Sequence, residues 1–104
     1  MQHFTDVGTF EAETKAKYRE RLRVPTMSLG TYSIPAGAED PQKPHQEDEV
    51  YFITAGRARF TAAGETVGVA AGHALFVPAH EEHRFSSVTE DLTVLVFFAP
   101  AESV

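Results

Sequence analysis

A chain of 104 residues with no cysteine and a formal charge of −6 has room for one domain, and neither a disulfide nor a thiolate metal site is open to it. Its 42 % hydrophobic content supports a packed core, and its acidic balance argues against sequence-independent binding to nucleic acid. No apolar run approaches the ~20 residues of a membrane helix, and Met1-Gln2-His3-Phe4 does not open a signal peptide, so the sequence reads as a cytoplasmic protein with no membrane partner.

Residues 1–24 form an N-terminal segment, read as a short helix or an extra strand. The stretch Thr9 to Leu22 is rich in Glu, Lys, Arg and Ala, which favours helix, although Phe10, Tyr18 and Leu22 make a sparse apolar set. Lys15, Lys17, Arg19, Arg21 and Arg23 alternate along it. In an acidic chain this pattern reads as the solvated side of a short element.

Residues 25–104 change character. Short β-type runs alternate with turn residues, as in an all-β sandwich or barrel. Thr26 to Ile34 reads as a strand with a bulge near Gly30, where the apolar parity switches from Met27 and Leu29 to Tyr32 and Ile34. Pro35 to Pro44 holds three prolines and a glycine and is a loop. Glu49 to Ala55 and Arg57 to Thr61 are strands punctuated by Gly56, and Ala62-Ala63-Gly64-Glu65 is a hairpin turn. Thr66 to Ala70, Ala74 to Val77, Arg84 to Val88 and Leu92 to Phe98 follow, the last two joined by a polar turn at Thr89-Glu90-Asp91. The final strand is apolar on both faces, so both are covered. One face lines the barrel, and the other meets the N-terminal segment or a second copy, which predicts a homodimer.

Side chains alternate along a strand, so His45, Glu47 and Glu49 share a face if the segment is extended. Tyr51 and Ile53 follow on that face, and an ionised carboxylate beside them needs a cation or a protonated histidine. In a second cluster the strand Leu75 to Val77 enters a proline-led turn, and His83 opens the next strand. That turn can return His83 to the mouth where His45 and Glu49 sit. Tyr51, Phe76 and Phe85 read as core or pocket wall, and His80 as a solvated turn residue.

These residues fall into two motifs. Gly37, His45, Glu49 and Gly56 resemble the first motif of the cupin family, G-x5-H-x-H-x3-E-x6-G. Gly72, Pro78 and His83 resemble the second, G-x5-P-x-G-x2-H-x3-N. The resemblance covers roughly residues 25–100 and implies a jelly-roll barrel of the double-stranded β-helix kind. It also implies a divalent metal on three of the family's four ligand positions: His45, Glu49 and His83. The leading histidine of the first motif is Lys43 here, whose ammonium is a poor ligand. The second motif's inner glycine is His80 and its asparagine is Ser87. Two imidazoles and a carboxylate suit Fe, Zn, Mn or Ni, with Glu47, Gln42 or His80 as weaker candidates for a further ligand. The implied function is an oxygenase- or isomerase-type enzyme acting on a small organic molecule. The alternative is a non-catalytic binding module whose pocket is held by hydrogen bonds, with Lys43 pairing with Glu49.

Overall fold

The computed structural model describes residues 1–41 and 43–103, so Gln42 lies outside the described residues. Six strands follow in order: β1 (Lys17–Val24), β2 (Met27–Ile34), β3 (Asp48–Ala62), β4 (Glu65–Ala70), β5 (Ala74–Val77) and β6 (His83–Ala99). All pairings are antiparallel. The sheet runs β1-β2-β6-β3-β4, with β5 on the free side of the first half of β3. It curls into an all-β jelly-roll barrel with no helix among the described residues. Every second residue of β3 and β6 turns inward, so Tyr51, Ile53, Phe60, Phe85, Leu92, Val94, Val96 and Phe98 fill the interior.

Of the two forms expected for the N-terminal segment, the helix over Thr9 to Leu22 does not form and the extra strand does. Lys17–Val24 is a strand on β2, and Tyr18 packs edge-on against Tyr32 and Phe98. Strand pairing and this aromatic contact override a weak helical propensity. Three of the five basic side chains of the alternating run are paired with carboxylates. Arg19 and Arg21 reach Glu11 at 3.0 and 3.7 Å, and Arg23 reaches Glu20 at 2.8 Å.

The bulge expected at Gly30 lies instead on the facing strand, between Glu20 and Leu22; β2 pairs with β6 without interruption. The parity switch has another cause, since β2 is covered on both faces. Tyr32 and Ile34 point into the barrel. On the outer face the Thr31 hydroxyl donates to the Val7 carbonyl, and Glu11 N–H donates to Ser33 Oγ at 3.0 Å. Thr54 on β3 also donates to the Gly8 carbonyl. The N-terminal segment therefore straps the outside of β2 and β3.

Two breaks expected in the chain are absent. Gly56 does not split β3, and Thr89-Glu90-Asp91 is not a turn but part of a single β6. Both long strands bend together at register shifts around Ala55 and Arg57, where Arg57 meets Glu90 at 3.3 Å. Gly56, at φ +96°, makes the bend possible, because Asp91 passes directly over it. The hairpin at Ala63-Gly64 does form, with both residues at positive φ as a two-residue primed turn requires.

Phe76 departs from its expected place in the core or pocket wall. It is 65 % exposed on the outer face, where the register sets Leu29, Phe97, Val50 and Phe76 in one row across β2, β6, β3 and β5.

Candidate metal centre

Glu49 sits near the start of β3 between Val77 of β5 and Phe98 of β6, with only 1 % of its surface exposed. Strand alternation turns it inward with Tyr51 and Ile53, as the sequence implies, and turns Asp48 outward. Asp48 instead accepts from Ala79 N–H at 3.0 Å and anchors the Pro78–Glu82 turn. That turn carries the chain from Val77, beside Glu49, to His83 at the head of β6. His80 adopts φ +69° in it, and its N–H donates to the His45 carbonyl at 2.7 Å. The turn and the His45 loop are thus tied at the barrel mouth.

The three residues singled out in the sequence converge. Ligand-capable atoms of His45, Glu49 and His83 lie within 4.8 Å of one another. His83 Nε2 is 3.1 Å from Glu49 Oε1 and 2.9 Å from the Tyr51 hydroxyl. Its Nδ1 is 2.8 Å from the Glu81 carbonyl, which can only accept, so Nδ1 carries a proton and Nε2 of the neutral ring carries the lone pair. His45 stacks edge-on against Phe98 at 4.8 Å between centroids, and its Nδ1 is 3.2 Å from Glu102 Oε2.

Both imidazoles hold their protons more tightly than usual. For His45 the Glu102 carboxylate raises the pKa, against an opposing effect of burial. For His83 burial pulls the pKa down, but the Glu49 carboxylate and the Glu81 carbonyl together outweigh it. Glu49 itself is under-satisfied: among the described residues, both of its buried oxygens lack an aligned hydrogen bond. A desolvated carboxylate with vacant lone pairs beside two imidazoles is a donor set that fits a divalent cation.

The remaining candidates lie elsewhere. Lys43 is exposed beside an open groove of about 510 Å³ on the His83 side, and no ion pair joins it to Glu49 among the described residues. The His80 side chain is exposed. Glu47 is buried but stands apart from the cluster, accepting from the Ser103 hydroxyl.

A cavity of about 110 Å³ adjoins His45 and Glu49, walled by Tyr32, Val96 and Phe98. Two further lining groups escaped the sequence reading, Tyr18 from β1 and Glu102 from the tail after β6. The Tyr18 hydroxyl is buried and has no hydrogen-bond partner among the described residues. No local pattern marks either residue, since each reaches the cavity only through strand pairing or the path of the tail.

The family model described as "Cupin domain" matches residues 30–98. An uncharacterized protein of Streptomyces coelicolor is 49 % identical over 96 residues, covering 89 % of this chain and 91 % of that one. Among solved structures, the protein TT1209 from Thermus thermophilus superposes with a TM-score of 0.79 at 20 % identity, over 97 % of each chain. The DMSP lyase DddQ of Ruegeria pomeroyi DSS-3 superposes with a TM-score of 0.74 at 22 % identity. That match covers 81 % of this chain and 46 % of the lyase, so this chain spans less than half of that enzyme's length. At these identities the two structures speak to the fold.

Proposed function

The chain belongs to the cupin domain family, and from that premise we propose that its barrel holds a divalent metal on His45, Glu49 and His83 and acts on a small organic molecule. Glu49 carries this reading, because its two buried, under-satisfied oxygens face two imidazoles. When bound, iron, zinc, manganese or nickel would supply Lewis-acid or dioxygen chemistry at a centre with open positions.

The chain's own groups have distinct tasks. His83 offers Nε2, held in place by its Nδ1–H on the Glu81 carbonyl. Tyr51 sets a protic hydroxyl 2.9 Å from that nitrogen, close enough to donate a hydrogen bond or hold a proton beside a ligand. Tyr32, Val96 and Phe98 give the cavity a mostly apolar wall. The Tyr18 hydroxyl is the donor that a ligand oxygen would satisfy. These features support oxygenase- or isomerase-type turnover, and a fold neighbour named as a lyase supports a small-molecule substrate.

The second reading is a metal-free, non-catalytic binding pocket. The 3.1 Å His83–Glu49 pair favours it, because a protonated His83 neutralises Glu49 without an ion. Elemental analysis separates the two. The metal reading expects about one divalent ion per chain; no metal as purified and none taken up on incubation would sink it. A thermal-shift screen of carboxylates, sugars and phenolics, followed by product analysis, then distinguishes binding from turnover.

The setting belongs to the same proposal. Absence of cysteine suits a reducing cytoplasm. No helix among the described residues is long and apolar enough to cross a membrane. The outer row of Leu29, Phe97, Val50 and Phe76 suits a second copy of the chain, since a two-fold interface sets one patch against itself.

A further inference from the structure

The two histidines of the centre are held in parallel ways. His83 Nδ1 donates to a fixed backbone acceptor, the Glu81 carbonyl at 2.8 Å. At His45 Nδ1 the corresponding group is a side chain, the Glu102 carboxylate, 3.2 Å away. Glu102 stands outside the ligand-atom cluster and outside the residues that match the family model.

Its placement is built. Glu102 N–H donates to Ser28 Oγ at 3.1 Å, and its carbonyl accepts from Arg23 Nη2 at 2.6 Å. The next residue, Ser103, donates its hydroxyl to Glu47. The tail is thereby fixed to β1, β2 and the loop before β3, and the Glu102 side chain reaches across the mouth to His45.

We infer that Glu102 is the positioning carboxylate of His45. It accepts the Nδ1–H, selects the tautomer with its lone pair on Nε2, and sets the ring angle. A carboxylate behind a ligating imidazole fixes orientation and raises basicity, and its removal costs about 10–100-fold in metal affinity. Because Lys43 occupies a histidine position of the family pattern, only two imidazoles serve this centre, and the aim of each weighs more.

The inference rests on the proposed metal reading, so its test has two arms. The first uses metal-free, ¹⁵N-histidine-labelled protein at an alkaline pH where the nitrogen shifts themselves show both rings to be neutral. The wild type shows His45 as the Nδ1–H tautomer. Glu102→Ala shows a mixture, with His83 unchanged. An unaltered His45 signal overturns the inference whether or not metal binds. The second arm measures Zn²⁺ affinity by competition with a chromophoric chelator. Glu102→Ala binds about 10–100-fold more weakly. Glu102→Gln, whose amide oxygen still accepts the Nδ1–H, recovers most of the loss. Adding Glu102→Ala to His45→Ala causes no further loss. A further loss in the double variant overturns the inference, because the carboxylate then acts independently of His45. Absence of any Zn²⁺ binding by the wild type overturns the metal reading, and the tautomer arm still decides the role of Glu102.

Discussion

Gly56 lies beneath the carbonyl of Asp91 so closely that a Cβ added there would stand 2.3 Å from the Asp91 oxygen, at a backbone φ of +96°. Gly56→Ala is expected to destabilise the fold by about 3 kcal/mol. The left-handed backbone accounts for about 1–2 kcal/mol and displacement of β6 for the rest. Gly64→Ala is the control. Its φ is +75° but no atom lies within 4 Å of the added Cβ, so it loses only the backbone share of about 1 kcal/mol. Urea unfolding of the two variants gives the comparison, and equal losses would show that the Asp91 contact is immaterial.

At the proposed metal centre, His45→Ala, Glu49→Ala and His83→Ala are each expected to lower divalent-metal content by about tenfold or more, since each would remove a direct bond to the ion. Lys43→Ala should leave it unchanged, because Lys43 is exposed and apart from the cluster. Elemental analysis after dialysis against the metal checks all four. A tenfold loss in Lys43→Ala would reassign the site.

The raised histidine pKa values fix the sign of a pH effect. His45 and His83 favour the protonated form in the fold relative to the ordinary value of 6.5. Their contribution to metal-free stability is full below 6.5 and is lost as pH rises through the folded pKa values. Metal requires the neutral rings, so its stabilising effect grows over the same window. The rise in Tm on adding Zn²⁺ is therefore expected to be small near pH 5.5 and larger near pH 8.5. A pH-independent rise would mean that the histidines are not ligands.

Two tyrosines act at the other end of the scale. Burial is the main cause that raises the Tyr18 hydroxyl, with Glu102, Glu20 and Glu49 adding to it. Burial and the 2.6 Å hydrogen bond to Asp40 raise Tyr32. Both stay neutral in the fold while the unfolded chain ionises near pH 10, so stability is present below that value and falls above it. Thermal melts between about pH 8 and 11 should show this loss, and Tyr18→Phe should reduce it. Identical alkaline profiles for Tyr18→Phe and wild type would remove Tyr18 as a cause.

The outer face gives a test of association. If Val50, Phe76 and Phe97 meet a second copy, sedimentation at micromolar concentration shows a dimer, and Phe76→Lys shifts it to monomer. Phe76 is already 65 % exposed, so the fold should be unaffected. A monomeric wild type overturns the homodimer.

What was legible in the sequence was mostly backbone. Gly37, Gly56 and Gly72 all adopt positive φ, and so do His80 at +69° and Ser87 at +49°, which occupy the motif's glycine and asparagine positions. The spacing survives substitution there because it records turns and, at Gly56 and Ser87, irregular backbone within β3 and β6. The convergence of His45, Glu49 and His83 was legible for the same reason, since the chain reversals bring the three together. Other features depend on partners far away in sequence. Thr89-Glu90-Asp91 reads as a turn because it is polar, yet pairing with β3 keeps it in the strand. The outward placement of Phe76 follows from the β3–β5 register, and Glu102 acts from a tail without motif.

The ladder between β3 and β6 joins Asp48 to Ala99 at one end and Ala62 to His83 at the other. Its partners are distant along the chain, and it carries Glu49 and His83 on its two strands. Chain closure of this kind is slow, and barrels dominated by such pairings fold in about milliseconds to seconds. Glu49 and His83 can face each other only once this long-range ladder has closed. A destabilising substitution on this ladder is expected to slow refolding to the extent that its contacts are formed in the transition state, and otherwise to speed unfolding.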